Sequence, residues 1–272
     1  MVARHDLTTD PGLQEQLLQA RRGTAFFARK LNELTDAGLD GDSLLPDWTR
    51  RHVVAHVGYN ARAIARLVEW ASTGVETPMY PSIAVRDEEI NFGATLSPIA
   101  LRNLFDHSAV HLSVEWRDLP EDAWHHTVRT IQGREVPASE TVWMRTREVW
   151  VHAVDLYNGA SFGDIPASVL ERLLRDITGS WAARGTDAGL LVKVSGTDLT
   201  FGDPDAAVVV AGPLAGVVQW ATGRGPAGDR GRWARAGGTK VDLTASGTKK
   251  VGTAPGFFTA GTAPTACMTI QI

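Results

Sequence analysis

Hydrophobic residues recur with the period of an α-helix in four long segments of the N-terminal half, and each segment places its apolar residues on one face. Asp10 before Pro11 and Ser97 before Pro98 are residue pairs that typically begin helices. The pattern predicts a four-helix bundle at residues 1–160. The four segments cover residues 10–37, 47–72, 97–118 and 138–157, with long connections at 73–96 and 119–137.

The pattern changes near Gly159. An amphipathic helix at 166–184 is followed by short runs of β-branched residues and by another helix around 213–224. We therefore expect a smaller α+β domain at 161–245, which makes the chain mainly α-helical with an α+β second domain. The remainder, 246–272, is rich in Gly, Thr and Ala, which predicts a flexible tail. The predicted strands cover residues 190–195, 198–201, 206–212 and 240–245.

Composition and charge narrow the classes of function. A formal net charge of -4 and a pI near 6.1 provide no electrostatic basis for binding nucleic acid or an anionic membrane surface. The single cysteine, Cys267, excludes an internal disulfide. The N-terminal segment lacks the apolar run of a signal peptide, and no segment approaches the ~18 apolar residues of a membrane span. We expect a cytoplasmic protein.

Three residue pairs at i,i+4 spacing could contribute metal ligands. On its helix, His56 lies at the edge of the apolar face, whereas His52 lies further toward the charged side. Two imidazoles and one carboxylate on facing helices would supply three ligands and leave a fourth position open, as in catalytic zinc sites. Alternatively, each pair is an ordinary hydrogen-bonded pair, and geometry alone does not choose between them. The pairs are His52 with His56, His107 with His111, and Glu148 with His152.

Two of these segments resemble a known family. "LPDWTRRHVVAHVGYNARAIARLV" is similar to the second helix of the DinB-like, mycothiol-dependent maleylpyruvate isomerase family, and "TVWMRTREVWVHAVDL" resembles its fourth helix with a Glu-x-x-x-His metal pair. The resemblance implies a DinB-like four-helix bundle followed by a small α+β domain. It places a metal triad on His56, Glu148 and His152. It implies no such role for His107 or His111.

The resemblance also suggests residues around the metal. Where the family often has Leu-Ala-Gly-His, this chain has "VGYN", so Asn60 replaces a histidine and is expected to hydrogen-bond a cofactor or substrate. The implied substrate is a dianion, and arginine is suited to pairing carboxylates and stabilising an enolate. Arg224 and Arg86 are the catalytic candidates by their positions in the chain.

The activity that the resemblance implies is the cis–trans isomerisation of maleylpyruvate to fumarylpyruvate in gentisate and other aromatic-acid breakdown, with zinc and mycothiol. A conjugated double bond does not rotate freely, so a nucleophile must add, allow rotation and leave. Cys267 is a poor nucleophile candidate because it lies in the predicted tail. A low-molecular-weight thiol that zinc holds as its thiolate resolves this difficulty.

Two alternatives follow from the same residues. The first is a zinc- and thiol-dependent transferase or hydrolase on the same scaffold, because a bundle positions a metal without choosing its substrate. The second is a non-enzymatic metal-binding module of a stress response. A stable thioether product would identify the transferase, and a fourth protein ligand would identify a structural metal.

Overall fold

The computed structural model describes residues 5–224 and 241–242, and its contacts divide the chain into two compact units, Met1–Ser161 and Phe162–Ile272. Within the described residues, the first unit contains five α-helices, a short hairpin and two 3-10 turns. The helices are α1 Pro11–Asn32, α2 Arg50–Thr73, α3 Ile83–Ala94, α4 Pro98–Asp118 and α5 Glu140–Asp155. The hairpin strands are β1 Thr127–Arg129 and β2 Glu135–Pro137, and the turns are Ala37–Asp40 and Asp122–His125.

The predicted helix starts are confirmed at α1 and α4. The Asp10 carboxylate accepts hydrogen bonds from the backbone N–H groups of Gly12 and Leu13, at 2.7 and 3.3 Å. The Ser97 hydroxyl oxygen accepts one from the N–H of Ala100 at 3.3 Å. These side chains satisfy donors that have no partner inside the first turn of a helix.

The four long helices α1, α2, α4 and α5 form the bundle, with α2 packed against α4, α5 and the additional helix α3, and α1 packed against α5. Two glycines allow close helix crossings. A β-carbon on Gly23 of α1 would lie 2.6 Å from the indole Nε1 of Trp150 on α5. A β-carbon on Gly58 of α2 would lie 2.9 Å from Leu104 on α4. Alanine at either position would therefore require the facing side chains to move.

Helix α5 is buried along almost its whole length, from Thr141 to Asp155. Helix α2 is also largely buried, since it contacts helices on several sides. Apolar side chains fill most of this core, but charged residues of α5 are buried with them. A buried charge costs free energy unless it is paired or binds an ion, so each of these residues needs a partner inside the bundle. The buried charged residues of α5 are Arg145, Arg147, Glu148 and Asp155.

The two long connections, for which the sequence predicted no helix or strand, both contain secondary structure. The 73–96 connection contains α3, and the 119–137 connection contains the β1–β2 hairpin, in which Val128 faces Val136. Helix α3 escaped prediction because its apolar residues do not form one stripe: Phe92 is exposed, while Arg86 is buried. The hairpin strands are three residues long, too short for alternation to indicate them.

The second unit is α+β, as predicted. It contains helices α6 Ala167–Arg184 and α7 Leu214–Ala221, which contact each other, and a 3-10 turn at Phe162–Asp164. Its sheet has the strand order β4-β3-β5-β6, with β3 antiparallel to β4 and parallel to β5, and β5 parallel to β6. The strands are β3 Leu190–Val194, β4 Thr200–Gly202, β5 Val208–Gly212 and β6 Val241–Asp242.

The expected class, mainly α-helical with an α+β second domain, is confirmed. The predicted tail at 246–272, with Cys267, lies outside the described residues, and the domain boundaries stay a prediction. Among the helices of the described residues, none combines the length and apolar character needed to cross a membrane. The cytoplasmic location stays a prediction.

Candidate metal centre

Three side chains that can bind metal meet inside the bundle, where α2 faces α5. The Nε2 atom of His56 lies 2.8 Å from Oε2 of Glu148, and the Nε2 atom of His152 lies 3.1 Å from the same oxygen. The structure thus brings together the three residues that were predicted as ligands, within 4.8 Å of one another. All three side chains are buried.

The donor set suits a divalent metal ion. Two imidazole nitrogens and one carboxylate oxygen are ligands of zinc, which binds them at about 2.0–2.2 Å in tetrahedral geometry. Such ligand atoms lie about 3.3 Å apart, so the observed 2.8 and 3.1 Å separations require an outward movement of only a few tenths of an ångström. Within the described residues, this is the group of histidine, cysteine and acidic side chains that could hold an ion.

Asp155 orients one of the imidazoles. Its carboxylate is fully buried and lies 2.8 Å from Nδ1 of His152, three residues earlier on the same helix. The carboxylate can only accept, so Nδ1 carries the proton and the lone pair of Nε2 is available for a metal. The sequence analysis did not select Asp155, although its i,i+3 spacing from His152 was a usable signal.

The protonation states of the cluster follow from burial and from its internal hydrogen bonds. Burial lowers the pKa of His56 to about 4, so this imidazole is neutral near pH 7. Burial opposes the charge of Glu148, yet hydrogen bonds from His152 and His56 bring its pKa well below the ordinary value. Burial also opposes a proton on His152, but the carboxylates of Asp155 and Glu148 raise its pKa. A metal ion binds the lone pair of Nε2 only in neutral His152, so protons compete with the metal at this side chain.

His56 differs from His152 in its outer contacts. Its Nδ1 atom is buried and has no hydrogen-bond partner in the structure. The indole of Trp48 packs against the ring, with the ring centroids 5.6 Å apart. The imidazole is thus held by the hydrogen bond of Nε2 to Glu148 and by ring contact, with no hydrogen bond at Nδ1. The edge of the His152 ring meets His56 at a centroid distance of 4.7 Å.

A second polar layer lies one helical turn from the cluster, after His56 in α2 and before Glu148 in α5. Nη1 of Arg145 donates to the carbonyl oxygen of Val57 at 2.7 Å and to Oδ1 of Asn60 at 3.0 Å. Because arginine can only donate, the amide oxygen of Asn60 faces it and the amide NH2 is left for another acceptor. Burial lowers the pKa of Arg145 to about 10, so it remains a cation beside Glu148. The sequence analysis selected Asn60 but missed Arg145.

The two arginines that were predicted as catalytic lie in different units. Arg86 on α3 is buried and donates from Nη1 to Oδ1 of Asp87 at 2.8 Å. Its positive charge contributes to lowering the pKa of His56. Arg224 follows α7 in the second unit, is buried, and donates from Nη1 to the carbonyl oxygen of Thr222 at 2.9 Å. Because both side chains are buried, neither is an ordinary solvent-exposed surface arginine. Their catalytic role stays a prediction.

The remaining histidine candidates do not join the cluster. His52 belongs to the start of α2, where its Nδ1 lies 2.9 Å from the Thr49 hydroxyl and accepts from the Thr49 N–H at 3.2 Å. His107 and His111 are exposed on α4, and Nε2 of His111 lies 3.3 Å from Oε1 of Glu115.

Comparison with known proteins adds an independent result. Residues 20–157 match the model of a family described as the mycothiol maleylpyruvate isomerase N-terminal domain. The chain is 50% identical to a crystal structure of the mycothiol-dependent maleylpyruvate isomerase, and the match covers 78% of this chain and 90% of that one with a TM-score of 0.76. A structure of that enzyme with one histidine changed to alanine matches at 49% identity over the same shares, also with a TM-score of 0.76. No curated protein matches the chain.

Proposed function

This chain belongs to the family of the mycothiol-dependent maleylpyruvate isomerases, and on that premise we propose that it converts maleylpyruvate to fumarylpyruvate with mycothiol as cosubstrate. The observation that carries the proposal is the buried cluster of His56, Glu148 and His152, in a chain half identical to that enzyme. The three ligands leave room for a thiol sulfur beside a metal ion. The reaction belongs to aromatic-acid breakdown, and gentisate is the precursor we expect.

We propose zinc as the metal, held by Nε2 of His56, Nε2 of His152 and Oε2 of Glu148. Two nitrogens and one oxygen favour zinc over the harder ions, which prefer oxygen ligands alone. When bound, zinc would supply the positive charge that holds a low-molecular-weight thiol as its thiolate at neutral pH. Asp155 keeps His152 in the tautomer that this role requires.

The residues around the cluster fit a dianionic substrate. Asn60 offers its amide N–H groups, because its oxygen is engaged by Arg145. Arg86 offers a buried guanidinium that is partly engaged by Asp87. We propose that Asn60 and Arg86 bind substrate oxygens. Arg224 of the second unit stays a proposed catalytic residue, because a guanidinium suits a carboxylate. Such donors position the double bond for attack by sulfur and exclude water from the reacting atoms.

The direct test is the thiol requirement of the isomerisation. We expect turnover of maleylpyruvate only when mycothiol is added, and Cys267→Ser should have no effect, because the thiolate comes from the cosubstrate. Isomerisation is followed in the wild type and in Cys267→Ser, each with and without mycothiol. Full activity without an added thiol, lost in Cys267→Ser, would show that the protein supplies its own nucleophile. Accumulation of a stable thioether would instead identify a transferase.

A further inference from the structure

Arg145 of α5 is a buried cation whose hydrogen bonds within the described residues go to neutral oxygens. Its side chain is 1% exposed, and Nη1 donates to the carbonyl oxygen of Val57 at 2.7 Å and to Oδ1 of Asn60 at 3.0 Å. The other terminal nitrogen, Nη2, is buried and has no partner among the described residues. Because neutral acceptors do not cancel its charge, this guanidinium favours an anion nearby.

Hydrogen bonds place Arg145 and Asn60 beside the metal centre. Asn60 follows His56 by four residues on α2, so the two side chains lie on the same face of that helix. Arg145 precedes Glu148 by three residues on α5 and reaches across to Val57, the residue directly after His56. The contact between Nη1 and Oδ1 therefore lies one helical turn from the contact between His56 and Glu148, on both helices.

The amide of Asn60 has one orientation that suits this contact. Arginine donates hydrogen bonds and accepts none, so the amide oxygen faces Nη1 and the NH2 group is turned away from it. The NH2 group makes no hydrogen bond to a described residue, and it is not among the buried atoms without a partner, although Asn60 is only 7% exposed. Asn60 therefore presents an unused donor that solvent, and hence a ligand, can reach.

The hydrogen bond from Arg145 strengthens that donor. A cation that donates to an amide oxygen polarises the amide, so its N–H groups become better donors. Burial increases this effect, because buried charges are screened less than exposed ones. The pKa of Arg145, which burial lowers to about 10, still leaves the guanidinium charged at neutral pH. Asn60 thus transmits the effect of a positive charge to its free N–H groups.

We propose that Arg145 is a positioning residue, which fixes the amide of Asn60 so that its NH2 group donates to a carboxylate of the substrate. This proposal rests on the proposed isomerase function and deepens it, because it identifies the group that Asn60 binds. A carboxylate stays charged throughout the reaction, so the hydrogen bond contributes equally to binding of substrate and transition state. Arg145 itself does not touch the substrate, since Nη1 is engaged and Nη2 is closed off.

Arg50 at the start of α2 is a matched control, because it also joins α2 to the chain at the end of α5. It donates from Nε to the carbonyl oxygen of Leu156 at 2.7 Å, from Nη1 to that of Gly38 at 2.9 Å and from Nη2 to that of Tyr157 at 3.0 Å. All three acceptors belong to the backbone. Removing Arg50 therefore measures what the loss of an arginine bridge costs when no side chain beside the cluster is affected.

The first experiment measures kcat and KM for maleylpyruvate in zinc-loaded Arg145→Met, Asn60→Ala and the double variant. Each single change should raise KM by about 10- to 100-fold, the effect of one hydrogen bond to a charged group, and leave kcat within about threefold. Because Arg145 acts through Asn60, adding Arg145→Met to Asn60→Ala should raise KM by less than about twofold. Arg50→Met should keep KM within about twofold of the wild type, even where it lowers the melting temperature.

Three results of this experiment would overturn the proposal. The first is a pair of losses that multiply in the double variant, because Arg145 would then act by a route other than Asn60. The second is a fall in kcat at unchanged KM, which would exclude a carboxylate as the bound group. The third is a rise of KM in Arg50→Met as large as that in Arg145→Met, since any lost bridge between the helices would then have the same effect.

A second experiment requires neither turnover nor removal of the arginine. Asn60→Asp keeps an oxygen for Nη1 of Arg145, so it should fold and bind zinc as the wild type does, but it replaces the free donor with an acceptor. We expect calorimetry without mycothiol to show fumarylpyruvate binding at least about tenfold weaker than in the wild type. Equal affinities would overturn the proposal. Wild-type protein that neither isomerises maleylpyruvate nor binds fumarylpyruvate would instead refute the proposed function.

Discussion

Helices α4 and α5 carry pairs of the same spacing, yet of these two pairs only that on α5 belongs to the candidate metal centre. His107 and His111 of α4 are exposed, and the partner of His111 is the partly exposed Glu115 on the same helix. Glu148 and His152 of α5 are buried and meet a third ligand from α2. Spacing puts two residues on one face, but the neighbouring helix decides whether that face becomes a site.

The difference has an energetic reason. Burying a carboxylate and an imidazole costs several kcal/mol unless they are paired or bind an ion. The α5 pair meets this requirement through His56, Asp155 and the proposed metal. The α4 pair remains in water, where an ion pair such as His111–Glu115 contributes little.

The largest expected effect is the loss of the metal from the α2–α5 cluster. His56→Ala and Glu148→Ala should each lose zinc and lower activity by more than about 10²-fold, because each removes one of three ligands. His107→Ala on α4 and His52→Ala at the start of α2 should retain zinc. Bound zinc per chain is measured on the four purified variants. Normal zinc in His56→Ala would contradict the proposed ligand set.

The next effect is the pH dependence of stability in the metal-free protein. The pKa of His56 is 6.5 in the unfolded chain and about 4 in the folded protein, so the folded state resists taking up a proton. The stability from this difference is complete above pH 6.5 and is lost as the pH falls toward 4, by about 3 kcal/mol. The lowered pKa of Glu148 acts in the same direction. His152, with a raised pKa, has the opposite sign and contributes stability that is lost as the pH rises.

Urea unfolding of the metal-free protein, from neutral pH down to about pH 4, measures this dependence. His56→Gln lacks the titrating group, so its free energy of unfolding should fall less steeply with acid than that of the wild type. His107→Gln on α4 is the control and should follow the wild type. Equal slopes for the wild type and His56→Gln would show that burial of His56 does not govern the acid response.

A smaller effect concerns the outer contact of the metal centre. Asp155→Asn can still accept from Nδ1 of His152 but loses the charge that makes the imidazole a stronger ligand. We expect zinc affinity to fall by about 10- to 100-fold. Glu115→Gln, which changes the carboxylate beside His111 on α4, should leave the affinity unchanged. The zinc affinity of both variants is measured by competition with a chromogenic chelator. An affinity of Asp155→Asn equal to that of the wild type would contradict the role of Asp155.

The smallest expected effect is on α4 itself. The His111 side chain is 60% exposed, so His111→Ala should change the free energy of unfolding by less than about 0.5 kcal/mol. Chemical denaturation measures the change. A loss several times larger would mean that the pair on α4 contributes to folding after all, and that the contrast with α5 is weaker than the structure suggests.

Most helices of the bundle were predicted from the helical period of their hydrophobic residues. The structure differs from the prediction where that period is absent. The caps Asp10 and Ser97 begin α1 and α4 as predicted. Helix α3 was missed because Arg86 lies on its buried side and Phe92 on its exposed side, the reverse of an ordinary amphipathic pattern. Arg86 was nevertheless selected as a candidate, because its selection rested on its position in the chain and on the affinity of arginine for carboxylates, not on periodicity.

The sequence by itself determined the helix-forming segments, the α+β character of the second unit and the residue types that could hold a metal, because each depends on local spacing. It could not choose among three pairs of equal spacing without a family resemblance. Only the tertiary structure brought His56 of α2 to the Glu148–His152 pair and buried Asp155 and Arg145 beside them. The physical reason is that desolvation and hydrogen bonding depend on which helices pack together, and residues far apart in the chain decide that packing.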